Sequence, residues 1–97
     1  MTITKNAIGF DFSEDQTELI QQKIGRIKYG EELIETLVIK VKLDKSYKFD
    51  ASVNFHWGIS SHVDSEDYDF AAALNKLMDI LDQKIKKEKD KIQDHKK

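Results

Sequence analysis

The chain has 97 residues, 39% hydrophobic and 35% charged, with no cysteine and no proline. That length gives one small domain with a thin core and little room for an enclosed active site. The missing residues exclude disulfides, thiol chemistry, Cys-based zinc sites and proline-rich linkers. The formal net charge of −2 is unevenly spread. Residues 1–82 hold nine basic and fifteen acidic residues, a net of −6, and residues 83–97 hold seven and three, a net of +4. A short basic tail on an acidic body is the first functional hint. The start, Met1-Thr2-Ile3-Thr4-Lys5-Asn6, lacks the apolar run of a signal peptide. No stretch approaches the roughly 18 apolar residues of a membrane span. The expectation is a soluble cytoplasmic protein with no membrane partner.

Ile3 to Phe12 reads as a first strand, with Ile3, Thr4, Ile8, Phe10 and Phe12 as its β-favouring residues. Ser13 followed by Gln16 is a capping box, in which each side chain satisfies a backbone N–H that the first helical turn leaves over. The helix it opens is expected to run to about Lys28, with Leu19, Ile20, Ile24 and Ile27 on its apolar face. Gly25 costs that helix about 1 kcal/mol relative to Ala, and Gly30 is a plausible C-terminal stop in a left-handed conformation.

Period-two alternation follows. Leu37, Ile39, Val41 and Leu43 alternate with Val38, Lys40, Lys42 and Asp44. Tyr47, Phe49, Ala51, Val53, Phe55 and Trp57 alternate with Lys48, Asp50, Ser52, Asn54 and His56. Such a pattern marks sheet with one buried face. A fourth strand is expected over Ile59 to Asp64. A three-residue loop centred on Gly58 sets Phe55 opposite Ser61 and Val53 opposite Val63, whereas a two-residue loop mixes the faces. Phe70, Leu74, Leu77, Met78, Leu81 and Ile85 then form the stripe of a long amphipathic helix. Beyond Ile85 only Ile92 is apolar. The order β-α-β-β-β-α predicts an α+β fold, one four-stranded sheet with two helices packed on one face. Residues 1–97 form a single domain, with 83–97 as its basic helix end.

Catalytic and metal chemistry find no support in this pattern. No phosphate-binding glycine loop or zinc-protease motif occurs. His56 and His62 share the expected exposed sheet face without a placed third ligand, so they read as solvent-facing strand residues. Glu66 and Asp67, ahead of a helix, favour its positive dipole end. Nothing pairs a nucleophile with a base. No catalytic residue, metal, cofactor or small-molecule substrate is expected.

The basic tail is more telling. Lys84, Lys87 and Lys91 form one helical stripe beside the apolar one, with Lys86 and Lys89 on the other flank. Lys23, Arg26 and Lys28 stand near the end of the first helix, and two basic helix ends on one side of a sheet make a shared patch. Such a patch can meet a row of phosphates with salt-sensitive affinity. The plainer alternative is a solvated helix end laced by Lys86–Asp90 and Lys84–Glu88 pairs, each worth a few tenths of a kcal/mol. The aromatic set Phe49, Phe55, Trp57 and Phe70 reads as core rather than as a stacking platform, with Trp57 partly exposed at the turn.

The segment Asp69-Phe70-Ala71-Ala72-Ala73-Leu74-Asn75, followed by Leu81, Gln83-Lys84-Ile85-Lys86-Lys87 and Lys89, resembles the closing helix of the ribosome hibernation-promoting factors. These are also known as ribosome-associated inhibitors or sigma-54 modulation proteins. Ile8-Gly9-Phe10-Asp11-Phe12-Ser13 and Lys23-Ile24-Gly25-Arg26-Ile27 resemble the family's first strand and helix. The likeness covers nearly the whole chain at the length of the short form. It implies a non-catalytic translation inhibitor that binds the small ribosomal subunit in its mRNA–tRNA channel in stressed or resting cells. By position, the residues implied to meet rRNA phosphates are Lys23, Arg26, Lys28, Lys84, Lys86, Lys87, Lys89 and Lys91, with Lys40 and Lys42 as weaker candidates. A rival reading is a binding module on the same fold that lacks ribosome affinity and recognises protein or other structured RNA. An exposed edge strand or sheet face leaves room for a homodimer, which is not predicted.

Overall fold

The computed structural model describes the backbone of residues 1–95 and the side chains of residues 1–91. The elements are β1 (Thr2–Ile8), α1 (Glu14–Ile24), a 3-10 segment (Gly25–Gly30), β2 (Ile34–Leu43), β3 (Tyr47–Phe55), β4 (Ser60–Asp67) and α2 (Phe70–His95). The strands form one sheet in the order β1-β2-β3-β4. β1 is parallel to β2, and the β2–β3 and β3–β4 pairs are antiparallel. The parallel pair is the one that α1 bridges, because parallel neighbours need a crossover rather than a tight turn. This is the expected α+β order.

Alternation decides the two faces of the sheet. Leu37, Ile39 and Val41 of β2, with Phe49, Ala51, Val53 and Phe55 of β3, point into the core. Lys40, Lys42, Lys48 and Asp50 point to solvent. A register shift between Ile34 and Thr36 lets Ile34 join the inward set although it lies three residues from Leu37. Against this face α2 lays Phe70, Ala73, Leu74, Leu77, Met78, Leu81 and Ile85, the last six fully buried. Each large side chain of that stripe contributes about 1.5–3 kcal/mol of transfer free energy. Burial continues one turn beyond Ile85, the end of the expected stripe, to Glu88, which is only 7% exposed.

Several local expectations are corrected. β1 stops at Ile8 rather than Phe12, since Gly9 turns the chain at φ 86°. Phe10 and Phe12 instead leave the sheet for an edge-to-face aromatic cluster with Tyr47, Phe49 and Phe70. The capping box of Ser13 and Gln16 forms, but α1 ends at Ile24 and the chain tightens into the 3-10 segment from Gly25. Gly30 is not left-handed; it is buried where a Cβ would lie 2.6 Å from Ile85 Cγ2. Its missing side chain therefore lets the 3-10 segment close onto α2.

The β3–β4 loop has the expected three residues, but they are His56, Trp57 and Gly58. The Phe55 N–H donates to Ile59 O at 2.8 Å, and the Gly58 N–H to Phe55 O at 3.1 Å. Gly58, at φ 86°, occupies the last loop position, as a type I turn closed by a left-handed residue requires. Val53 therefore faces Ser61, and Ala51 faces Val63. This differs from the expected register by two residues, which leaves every side chain on its expected face. β4 continues past Asp64 to Asp67, and the half-buried Ser65 donates its hydroxyl proton to Ala73 O at 2.7 Å, tying the strand to α2.

Candidate nucleic-acid interface

α2 carries most of the candidate cations, so its start and seating set their positions. Asp69 caps it by accepting from the Ala72 N–H at 3.0 Å, and Asp67 accepts from the Asp69 N–H at 3.0 Å. The Asp67 carboxylate also holds Lys76 at 2.8 Å. Together the Asp69 amide and Lys76 keep the Asp67 carboxyl below the usual carboxylate range.

With the apolar stripe fixed against the sheet, 100° per residue sorts the lysines onto two flanks. Lys76 turns toward β4, and Ile80, Lys84, Lys87 and Lys91 follow it on that flank. The opposite flank meets the 3-10 segment. There Arg26 reaches Asp79 at 2.8 Å, and Lys86 reaches Asp82 at 3.2 Å. The Tyr29 hydroxyl donates to Asp82 Oδ1, and the Lys89 ammonium lies 5.7 Å from the Tyr29 ring centroid. Burial, then the Asp82 carboxylate, pushes the Tyr29 hydroxyl above its ordinary range, and the same hydrogen bond holds Asp82 low.

The eight helix residues singled out in the sequence thus fall into three groups. Arg26, Lys86 and Lys89 meet in one groove between the 3-10 segment and α2, which Tyr29, Asp82 and Asp90 also line. Lys84, Lys87 and Lys91 form an outer stripe on the far flank. Lys23, half-buried on α1, and Lys28, exposed on the 3-10 segment, lie on the elements beside the groove. Three of the eight are paired: Arg26 with Asp79, Lys86 with Asp82, and Lys91 with Glu88 at 3.4 Å. The Lys86–Asp90 and Lys84–Glu88 pairs expected of a solvated helix end do not form. Among the described residues no carboxylate lies within ion-pair reach of Lys23, Lys28, Lys84, Lys87 or Lys89.

Lys40 and Lys42 are not brought to these helices. They stand on the opposite, exposed face of the sheet, where Lys48, Asp50, Asp64 and Glu66 surround them. His62 is on that face too, against Asp50, whereas His56 lies in the hairpin loop and donates its N–H to Leu33 O at 3.1 Å. Among the described residues no group of three metal-ligating side chains converges, and no helix is long and apolar enough to cross a membrane. Phe49, Phe55 and Phe70 are core, and Trp57 stacks on Phe55 at 38% exposure.

Tyr29 is the residue that sequence reading missed. It lies between Lys28 and the close-approach Gly30, and an aromatic among basic residues at a helix end is the signal that was available.

Comparison with curated proteins finds no match. Among solved structures, the fold is similar to that of a ribosomal subunit interface protein from Coxiella burnetii, with a TM-score of 0.83 and 26% identity. That alignment covers 92% of this chain and 98% of the other. It is also similar to the N-terminal domain of Protein Y from Thermus thermophilus, with a TM-score of 0.76 over 90% of this chain and 98% of that one; at 20% identity this likeness speaks to the fold. The family described as Sigma 54 modulation protein / S30EA ribosomal protein matches residues 3–93. With its sheet order, its two helices and nearly its whole length accounted for, the chain belongs to that family.

Proposed function

We propose that the protein binds the ribosome at its subunit interface, on the small subunit, and inhibits translation by occupying the mRNA–tRNA channel in stressed or resting cells. The action is non-catalytic: the protein works by filling space that mRNA and tRNA need. Family membership supports the ribosome as partner, as does the name of the Coxiella burnetii relative. The observation that carries the rRNA contact is the exposed pair Lys84 and Lys87. Their ammonium groups find no carboxylate among the described residues, although the body of the chain is acidic. In this reading Lys84, Lys87 and Lys91 meet one run of phosphates. Lys23, Arg26, Lys28, Lys86 and Lys89 meet another across the 3-10 segment.

Phosphate contact releases counterions, so the affinity must fall with salt. If the five cations without carboxylate partners each meet a phosphate, log K falls against log salt with a slope of about −4. Co-sedimentation with purified small subunits at low and at physiological salt tests this. The protein is expected to pellet at low salt and to be released steeply as salt rises. Failure to pellet at either salt removes the reading. Pelleting that ignores salt points to a protein contact instead.

A further inference from the structure

The cations of this surface do two different jobs, and in the groove between the 3-10 segment and α2 they do not act on phosphate alone. Its Arg26 and Lys86 are held by Asp79 and Asp82, so it offers a polyanion less free charge than the outer stripe of Lys84 and Lys87. It offers an aromatic floor instead. Tyr29 is 43% exposed although it sits in a helix–helix seam, and Gly30 beside it brings that seam together. The ring is oriented by its seat between the 3-10 segment and α2, where its hydroxyl also donates to Asp82. The Lys89 ammonium lies over the ring, and both side chains line the groove. At 5.7 Å from the centroid it is held by a soft contact on a flexible stem.

We propose that this groove takes one unstacked nucleobase of single-stranded RNA, laid on the Tyr29 ring. The base takes the place over the ring that the Lys89 ammonium holds, and the displaced ammonium is left beside the phosphate of the same nucleotide. Asp90, which has no cation within ion-pair reach among the described residues, is available as an acceptor for an exocyclic amino group at the base edge. A rigid, pre-oriented ring suits this role, since stacking tolerates any base and costs little ordering. This inference deepens the ribosomal reading and rests on it for the source of the RNA. The pocket itself does not depend on the ribosome.

Two measurements on the full chain separate them. Titration of the protein with an oligoadenylate, followed by NMR, should shift the Tyr29 ring protons upfield, and Tyr29→Phe should keep the response. Binding to purified small subunits should weaken roughly 5- to 150-fold in Tyr29→Leu, with the salt slope unchanged, because stacking releases no counterions. Tyr29→Phe should stay within about twofold of the parent, as only the ring is needed. A Tyr29→Leu protein that is folded by circular dichroism and binds as tightly as the parent overturns the pocket, as does a parent whose Tyr29 ring protons do not shift with oligoadenylate. Equal losses in Tyr29→Phe and Tyr29→Leu overturn it too, assigning the effect to the hydroxyl and Asp82. If the ring protons shift but the parent never binds small subunits, the pocket stands and the ribosomal reading falls.

Discussion

Gly25 and Gly30 bound the same 3-10 segment, yet replacing each by alanine should have opposite effects. Gly25 has φ −54° and ψ −27°, ordinary helical values, and nothing lies within 4 Å of a Cβ placed there. Alanine at that position restricts the unfolded chain without a clash, so Gly25→Ala should stabilise by about 0.5–1 kcal/mol. At Gly30 the same methyl would come within 2.6 Å of Ile85 Cγ2. Ile85 is fully buried, and its β-branch leaves one strongly preferred rotamer in a helix, so it has nowhere to turn. Overpacking of this kind costs about 2–3 kcal/mol, and subtracting the helical gain leaves a net loss of about 1–2 kcal/mol. For a domain of this size 1 kcal/mol is about 4–8 °C in Tm. The two variants should therefore separate by about 6–24 °C in a thermal melt followed by circular dichroism. Ile85→Leu moves the branch point from Cβ to Cγ and removes the offending methyl. The Gly30→Ala/Ile85→Leu double variant should then be about 1 kcal/mol better than the sum of its singles. A Gly30→Ala protein that melts as high as Gly25→Ala, with Ile85→Leu merely additive, would refute the close-approach explanation of this seam.

Three further outcomes are expected. Replacing Lys84 and Lys87 by Gln should reduce the salt slope of small-subunit binding by about 2, from about −4, with the thermal melt shifted little, since both side chains are exposed; an unchanged slope places the phosphate contacts elsewhere. Ser13→Ala removes the hydroxyl that accepts from the Gln16 N–H at 3.1 Å, and should cost about 1 kcal/mol in denaturant unfolding. Asp82 is held low chiefly by the Tyr29 hydroxyl, so its pairing stabilises the fold fully above the ordinary carboxylate range. That contribution is lost as the pH falls through the lowered folded value, and Tyr29→Phe should move the Asp82 carboxyl titration, read by NMR, upward toward its ordinary value.

What was legible in the sequence and what was not divides along physical lines. Faces were legible, because a period of two or of 3.6 records burial directly: every residue from Leu37 to Val41 and from Phe49 to Phe55 points as its parity demands. Ends were not. Phe10 and Phe12 read as a continuation of β1 because aromatics favour strands, whereas their partners are rings contributed by Tyr47 and Phe70, distant in sequence. The hairpin loop had the right length but the wrong centre, because a glycine signals a left-handed residue without saying which loop position needs it. Gly30 reads as a helix stop in the sequence, since a close approach between elements leaves no local trace. In the candidate site, the two lysine flanks of α2 followed from spacing alone. Which cations pair with carboxylates did not, because Arg26 and Asp79 lie 53 positions apart and meet only through tertiary packing.

The distribution of charge has a mechanical side. The described residues extend 48 × 20 × 20 Å, and the sequence sets a surplus of positive charge at the C-terminal end of an otherwise negative chain. Such a body carries a permanent electric moment roughly along α2. Near a large polyanion it feels a torque before it feels any contact, swinging the lysine-bearing tip inward and the carboxylate-rich remainder outward. Encounters that present the lysines first are thereby favoured.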